Sequence, residues 1–264
     1  MDYNLGYNIV DFVFKNALRL LLRQKTPVQI RLGLLKGQMR NILLCFLFCF
    51  CISSLSFAAP CYGPRMPRGK QFFGGLQTYY VFNRTLESGY GKMHSLQDFF
   101  LVSYGVFDWL SLDLKGGLGN IRQRSGAGSE INYHTFLGGG YGFRLKLYDR
   151  DNTKMVLGFQ HISIHPYTVS IGGSKNKAVL DDWQFPFLIS HDFYNVTPYI
   201  GVRWSWMNQI HWVDDARKLE KSDLGKSVGL IVGTDIPLSK SIWFNVEGQF
   251  FDAAAVGGSI NFAF

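Results

Sequence analysis

Residues Ala254-Ala255-Val256-Gly257-Gly258-Ser259-Ile260-Asn261-Phe262-Ala263-Phe264 decide how the rest of the chain is read. Ala254, Val256, Gly258, Ile260, Phe262 and Phe264 alternate with Ala255, Gly257, Ser259, Asn261 and Ala263. Side chains on a strand point to opposite faces with period two, so this segment predicts a strand with one apolar face and one small, polar face. The preceding segment repeats the pattern, with Ile242, Phe244, Val246 and Phe250 set against Ser241, Asn245, Glu247 and Gln249.

The same period returns further back. Ile200, Val202, Trp204 and Trp206 stand against Tyr199, Gly201, Arg203 and Ser205. Tyr133, Leu137, Tyr141, Phe143, Leu145 and Leu147 stand against His134, Gly138, Gly140, Gly142, Arg144 and Lys146. A water-facing sandwich also alternates, but its polar face rarely needs so many glycines. An apolar aromatic face opposite Gly, Ser, Asn and isolated charges suits a barrel with lipid outside and a tight polar lumen inside. Closure also removes the edges that no bilayer could satisfy. The fold class expected is therefore all-β, a transmembrane antiparallel β-barrel.

Ten strands are expected, near residues 71–83, 95–107, 109–121, 131–148, 154–165, 180–192, 196–211, 226–236, 241–251 and 254–264; eight or twelve are also compatible. Short connections at 107–109, 149–153, 193–195 and 237–239 alternate with longer ones at 86–94, 122–130, 166–179 and 212–225. Short periplasmic turns, long outer loops and an even strand number are the barrel pattern. The connection at Asp252 is short for an outer loop.

Composition agrees. Of 264 residues, 29 are Gly and 8 Pro, aromatics reach 16% and charged residues only 17%. The net charge of +8 is concentrated before residue 59, and no basic stripe marks the remainder, so no nucleic-acid partner is expected. Cys45, Cys49 and Cys51 share one apolar run and only Cys61 lies beyond it, which excludes an internal disulfide or a cysteine-based zinc cluster after processing. Met39-Arg40-Asn41, an uncharged run from Ile42 to Phe57, and Ala58-Ala59-Pro60 describe a cleaved secretory signal peptide. The expected organisation is an N-terminal extension at 1–38, translation starting naturally at Met39, a signal peptide at 39–58, a short periplasmic segment at 59–70 and the barrel at 71–264.

Tyr104-Gly105-Val106-Phe107-Asp108-Trp109-Leu110-Ser111-Leu112 resembles the periplasmic hairpin of the outer-membrane β-barrel domain family, the small OmpA-like and OmpW-like bacterial barrels. Ile260, Phe262 and Phe264 resemble that family's C-terminal insertion signal, with Gly258 one place from its strict position. The resemblance spans roughly residues 70–264. It implies a bacterial outer membrane as location, with the lipid bilayer and lipopolysaccharide as surroundings and the barrel-assembly machinery as partner during insertion. It implies fold and location and leaves the external ligand unassigned.

Two groups could carry function. Asp113, Lys115, Arg144, Lys146, Arg203, Asp235 and Glu247 share the lumen parity and are expected to form a charged network that fills a narrow barrel, since unpaired charges there would be costly. His161 and Ser163 share the lipid-facing parity of Met155, Leu157 and Phe159, and Asp181 that of Trp183 and Phe185. This resembles the His-x-Ser motif of the outer-membrane lipid A deacylases, departing from it at Ile164, and implies base-activated attack by Ser163. His165 is set aside, since i,i+4 on a strand is a wide separation. No metal ligand cluster and no cofactor are expected, and Gly138-Gly139-Gly140 precedes no helix that would cradle phosphate. The 212–225 loop, with Asp214, Asp215, Arg217, Lys218, Glu220, Lys221 and Asp223, is the most charged outer segment. The expected role is non-enzymatic (envelope structure, surface interaction or a narrow passive pore), with a lipid-facing acyl hydrolase as the alternative.

Overall fold

In a computed structural model of the protein, residues 63–86, 91–124, 130–214, 216–221 and 226–264 are described, without the side chains of 218–221. The extension at 1–38, the signal peptide at 39–58, Cys61, Asp215 and Asp223 lie outside them. Twelve strands follow in order: β1 (Phe72–Thr85), β2 (Lys92–Phe107), β3 (Leu110–Arg124), β4 (Glu130–Arg150), β5 (Thr153–Ile164), β6 (Val169–Ile171), β7 (Ser174–His191), β8 (Thr197–Val213), β9 (Ala216–Lys221), β10 (Val228–Pro237), β11 (Ile242–Phe250) and β12 (Ala254–Ala263). Ten of them close a ring through β1-β2-β3-β4-β5-β7-β8-β10-β11-β12, with β12 returning to β1. Every pairing is antiparallel. The expected ten-stranded barrel is what the chain forms.

The turns explain the register. Asp151 and Asn152 both have positive φ, 49° and 61°, as a two-residue hairpin that follows the twist of its strands requires. Gly172 and Gly173, at 58° and 90°, make the matching turn between β6 and β7. These short strands are an addition to the sequence reading. β6 pairs with the start of β7, and β9 with the end of β8. Ile164, the last residue of β5, pairs with Leu180, so β7 begins six residues further out. β8 likewise runs on to Val213, although Val228 at the start of β10 pairs with Trp204. At roughly 3.4 Å per residue, β6–β9 form a tongue reaching about 20 Å beyond the rim.

The exterior is apolar. Leu76, Phe100, Leu112, Leu114, Leu118, Leu137, Ile200 and Val202 all point out, with Phe72, Phe107 and Trp109 at the periplasmic end and Tyr167 at the other. No helix among the described residues is long and apolar enough to cross a membrane, and the strands do so instead. Closed ladders satisfy every backbone group without water, so an apolar exterior on such a ring places the protein in an outer membrane.

The interior departs from expectation in one respect. Its outer half is apolar, filled by Tyr79, Val81, Met93, Phe99, Ile121, Tyr133, Ile162, Ile164, Leu180 and Met207. Tyr133 was expected on the lipid face but is fully buried inside. Between Gly119–Phe136 and Ile121–Tyr133 the ladder gains one residue on β4, and such a bulge turns every side chain beyond it to the other face.

Candidate functional site

The lumen below this stopper is polar and layered. In the middle layer, Lys115 Nζ donates to Gln160 Oε1 (3.2 Å), Gln160 to Gln184 (2.7 Å) and Gln184 to Asp182 Oδ2 (2.6 Å). Ser205 donates to Asp182 Oδ1 at 2.8 Å and accepts from Arg84 at 2.8 Å. Arg203 donates to Asp252 at 2.5 Å, with Arg84 3.8 Å from the same carboxylate. On the other wall, Tyr199 donates to Glu247 (2.9 Å), while Asn245 donates to Tyr199 (3.0 Å) and Asp235 (2.7 Å).

The periplasmic layer is built on Arg144. Its Nε and Nη2 grip Asp113 at 3.0 and 2.9 Å, Nη2 also reaches Ser103 at 3.0 Å, and Ser103 donates to Asp113. Arg144 Nη1 donates to the backbone carbonyl of Arg65 at 2.6 Å. That bond marks the strand-less segment before β1, which folds into the mouth. Gly63, Pro64 and Pro67 are buried, Gly63 lies against Asp235 and Asn245, and Arg65 covers the Trp243 ring at 4.8 Å. Lys70 N–H donates to Gly105 at 2.6 Å, which ties the segment to β2.

Six of the seven residues assigned to the network are buried in the lumen: Asp113, Lys115, Arg144, Arg203, Asp235 and Glu247. Lys146 is not among them. It lies at a bulge beside the β4–β5 turn and pairs with the exposed Asp149 at 2.8 Å, where water is available. Three members were missed. Arg84 lies just beyond the expected first strand at 71–83, and the β1 bulge between Val81 and Arg84 turns it inward. Asp182 stands on the lumen parity next to the lipid-facing Asp181, and Asp252 sits in the connection between β11 and β12; both are buried. A cavity among Gln160, Gln184, Arg203, Glu247 and Gln249 measures about 10 Å³, room for one water at most.

The lipid-facing trio does come together, in an order of its own. Ser163 and Asp181 are directly paired on β5 and β7, and Ser163 Oγ donates to Asp181 at 2.6 Å. His165 Nε2 lies 2.9 Å from the same hydroxyl, whereas His161 Nε2 lies 3.6 Å from Asp181 and its ring sits tilted over Trp183 with centroids 4.3 Å apart. His165 therefore belongs to the cluster, because it bends back past the end of β5. In a hydrolytic triad the imidazole stands between serine and carboxylate; here the serine stands between carboxylate and imidazole. Around Ser163, β5 is paired with both β4 and β7 from Gln160 to Ile164, so the N–H groups beside the hydroxyl are taken up by the two ladders. Among the described residues no group of three or more His, Cys, Asp or Glu is placed to hold a metal.

The C-terminal trio lies as its parity requires, with Ile260 and Phe262 on the lipid face and Phe264 exposed beyond β12. Outside the spanning strands, Asp214 bonds the Lys175 N–H at 2.7 Å. The Ser174 side chain and that N–H hold its carboxyl below the usual carboxylate range. It joins the β6–β7 turn to the β8–β9 turn.

No protein-family model matches the sequence, and no curated protein matches it. Solved structures with a similar course include an outer-membrane channel from Pseudomonas putida F1 (9% identity, 78% of this chain and 99% of that one, TM-score 0.40). The translocator domain of autotransporter NalP from Neisseria meningitidis is similar at 12% identity, over 75% of this chain and 89% of that one, with a TM-score of 0.41. The transport unit of autotransporter AIDA-I from Escherichia coli is similar at 13% identity, over 75% and 91%, with a TM-score of 0.40. These likenesses are distant and of fold only.

Proposed function

We propose that this outer-membrane barrel is non-enzymatic, a membrane anchor that presents the β6–β9 tongue at the cell surface, and that its kinship lies with the small OmpA-like and OmpW-like barrels. The observation that carries the reading is the filled lumen: an apolar stopper above, an ion-paired layer in the middle and the N-terminal segment below. A solute path would need all three layers to move, so a narrow passive pore ranks below envelope structure and surface interaction. The tongue is ordered by the Asp214 bonds and by Trp212, which lies 5.2 Å from Lys177 Nζ and 6.0 Å from Arg217 Cζ. Lipopolysaccharide around the outer half, and insertion guided by Ile260, Phe262 and Phe264, belong to the same proposal.

The acyl-hydrolase reading keeps one observation in its favour, the meeting of Ser163, Asp181 and two histidines on the lipid face. The test is reconstitution into liposomes containing lipid A, with mass spectrometry of the lipid and swelling in a small sugar. Intact acyl chains and no swelling are expected. Acyl release abolished by Ser163→Ala would overturn the reading in favour of an enzyme, and rapid swelling would overturn it in favour of a pore.

A further inference from the structure

The lipid face carries a groove of about 720 Å³ across β1, β2, β3, β11 and β12. Its rim is apolar, with Leu76, Phe100, Leu118, Phe244 and Ile260, and its floor is bare because Gly116 and Gly258 project no side chain. Neither glycine is demanded by packing. A Cβ on Gly116 would meet nothing within 4 Å, and one on Gly258 nothing nearer than 3.9 Å. Gly117, one residue along but facing the lumen, differs sharply: a Cβ there would sit 1.9 Å from the Asp98 carbonyl oxygen. Gly116 pairs with Gly139 on β4, so the bare floor continues onto a further strand.

In this apolar hollow lies a carboxylate. Asp98 is exposed on the lipid-facing parity of β2, between Leu96 and Phe100, and pairs with Thr78 on β1 and Leu118 on β3. The Thr78 hydroxyl donates to its Oδ1 at 2.8 Å, and among the described residues this is the side chain's one hydrogen-bond partner. Six residues separate Asp98 from Tyr104 near the periplasmic girdle. At ~3.3 Å per residue and ~40° tilt that is about 15 Å, inside an apolar band about 25 Å tall. A carboxylate at that depth is costly without a counter-charge, and among the described residues Asp98 forms no ion pair.

We propose that the groove is a binding site for a membrane-dissolved amphiphile with an alkyl chain and a primary ammonium group. The ammonium pairs with Asp98, oriented by Thr78, and the alkyl chain lies on the Gly116–Gly258 floor between Phe100 and Leu118. The charge selects the head, because a carboxylate repels an anionic amphiphile and gains little from a neutral one. The bare floor selects the tail. The site is independent of the tongue's role and of the His161–Ser163–Asp181 cluster.

The test is native mass spectrometry of the detergent-folded protein with dodecylamine, dodecanol and dodecanoate, with heat-modifiable gel mobility as the control for folding. One saturable dodecylamine adduct is expected, binding at least roughly tenfold more tightly than the other two, a difference of about 1.4 kcal/mol. Asp98→Asn is expected to remove that preference. Gly258→Leu, which fills the floor, is expected to weaken the amine by a similar factor with the barrel still heat-modifiable. Equal binding of the three probes, or an amine affinity unchanged in both Asp98→Asn and Gly258→Leu, would overturn the proposal. Should either variant lose heat-modifiability, Thr78→Val carries the same expectation with a smaller loss.

Discussion

Arg144 on β4 and Asp113 on β3 form a two-pronged buried ion pair, 3.0 and 2.9 Å long, whose third arginine prong holds the Arg65 carbonyl 2.6 Å away. One side chain thus joins two wall strands to the segment that stops the periplasmic mouth. Removing one partner leaves the other charged and buried, at a cost of about 3–5 kcal/mol. Arg144→Leu and Asp113→Leu are each expected to lower the unfolding free energy, read from urea titration in detergent, by that much, and the double variant by clearly less than their sum. Arg144→Lys is not expected to rescue, because an ammonium cannot reproduce the planar fork.

Gly63 sits at φ 63°, where an added Cβ would come 2.8 Å from both Asn245 and Asp235. Gly63→Leu is therefore expected to expel the segment while leaving the ring closed. Overpacking of this kind costs about 1–3 kcal/mol, so trypsin cleavage after Arg65 and Arg68 should speed up roughly tenfold. Unchanged cleavage would show that the mouth is not held this way.

Outside the membrane, Asp192 after β7 takes bonds from the Lys154 ammonium and from the Thr197 hydroxyl at 2.7 Å. Burial works upward on its carboxyl, but these bonds outweigh it and hold it below the ordinary carboxylate range. A carboxylate depressed in the folded state adds stability above its unfolded pKa of about 3.9, and that stability drains away as pH falls through the folded value. Asp192→Asn should be less stable than the native chain at pH 7, the two converging in strongly acidic buffer. A gap independent of pH would contradict the assignment.

Leu114, mid-strand on β3, is well exposed to lipid, while Phe107 lies at the turn. Leu114→Arg should cost about 2–4 kcal/mol and Phe107→Arg about 0–1 kcal/mol, following depth in the bilayer. Equal costs, measured by urea unfolding in lipid vesicles, would mean that β3 does not span.

Period two made the ring legible, because each spanning strand must show one face to lipid along its whole length. The lumen was legible only where it is charged. Phe99, Leu101 and Ile162 point inward, yet an apolar side chain carries no mark of whether lipid or a packed interior receives it. Bulges hid the rest: one extra residue on β1 turns Arg84 inward, and one on β4 does the same for Tyr133. The plugging segment has no period, and Pro64 and Pro67 leave it outside any ladder. The Ser163–Asp181 pairing was foreseeable from parity, but the approach of His165 depends on the chain beyond β5.

The most direct measurement is a nitroxide scan of positions 110–118 on β3, in lipid vesicles, with Cys45, Cys49, Cys51 and Cys61 replaced. A closed, filled barrel requires even positions to be accessible to lipid-dissolved oxygen and odd positions to be shielded from both oxygen and a water-soluble relaxant. Odd positions open to the water-soluble relaxant would contradict the filled lumen, and a scan without period two would contradict the barrel itself.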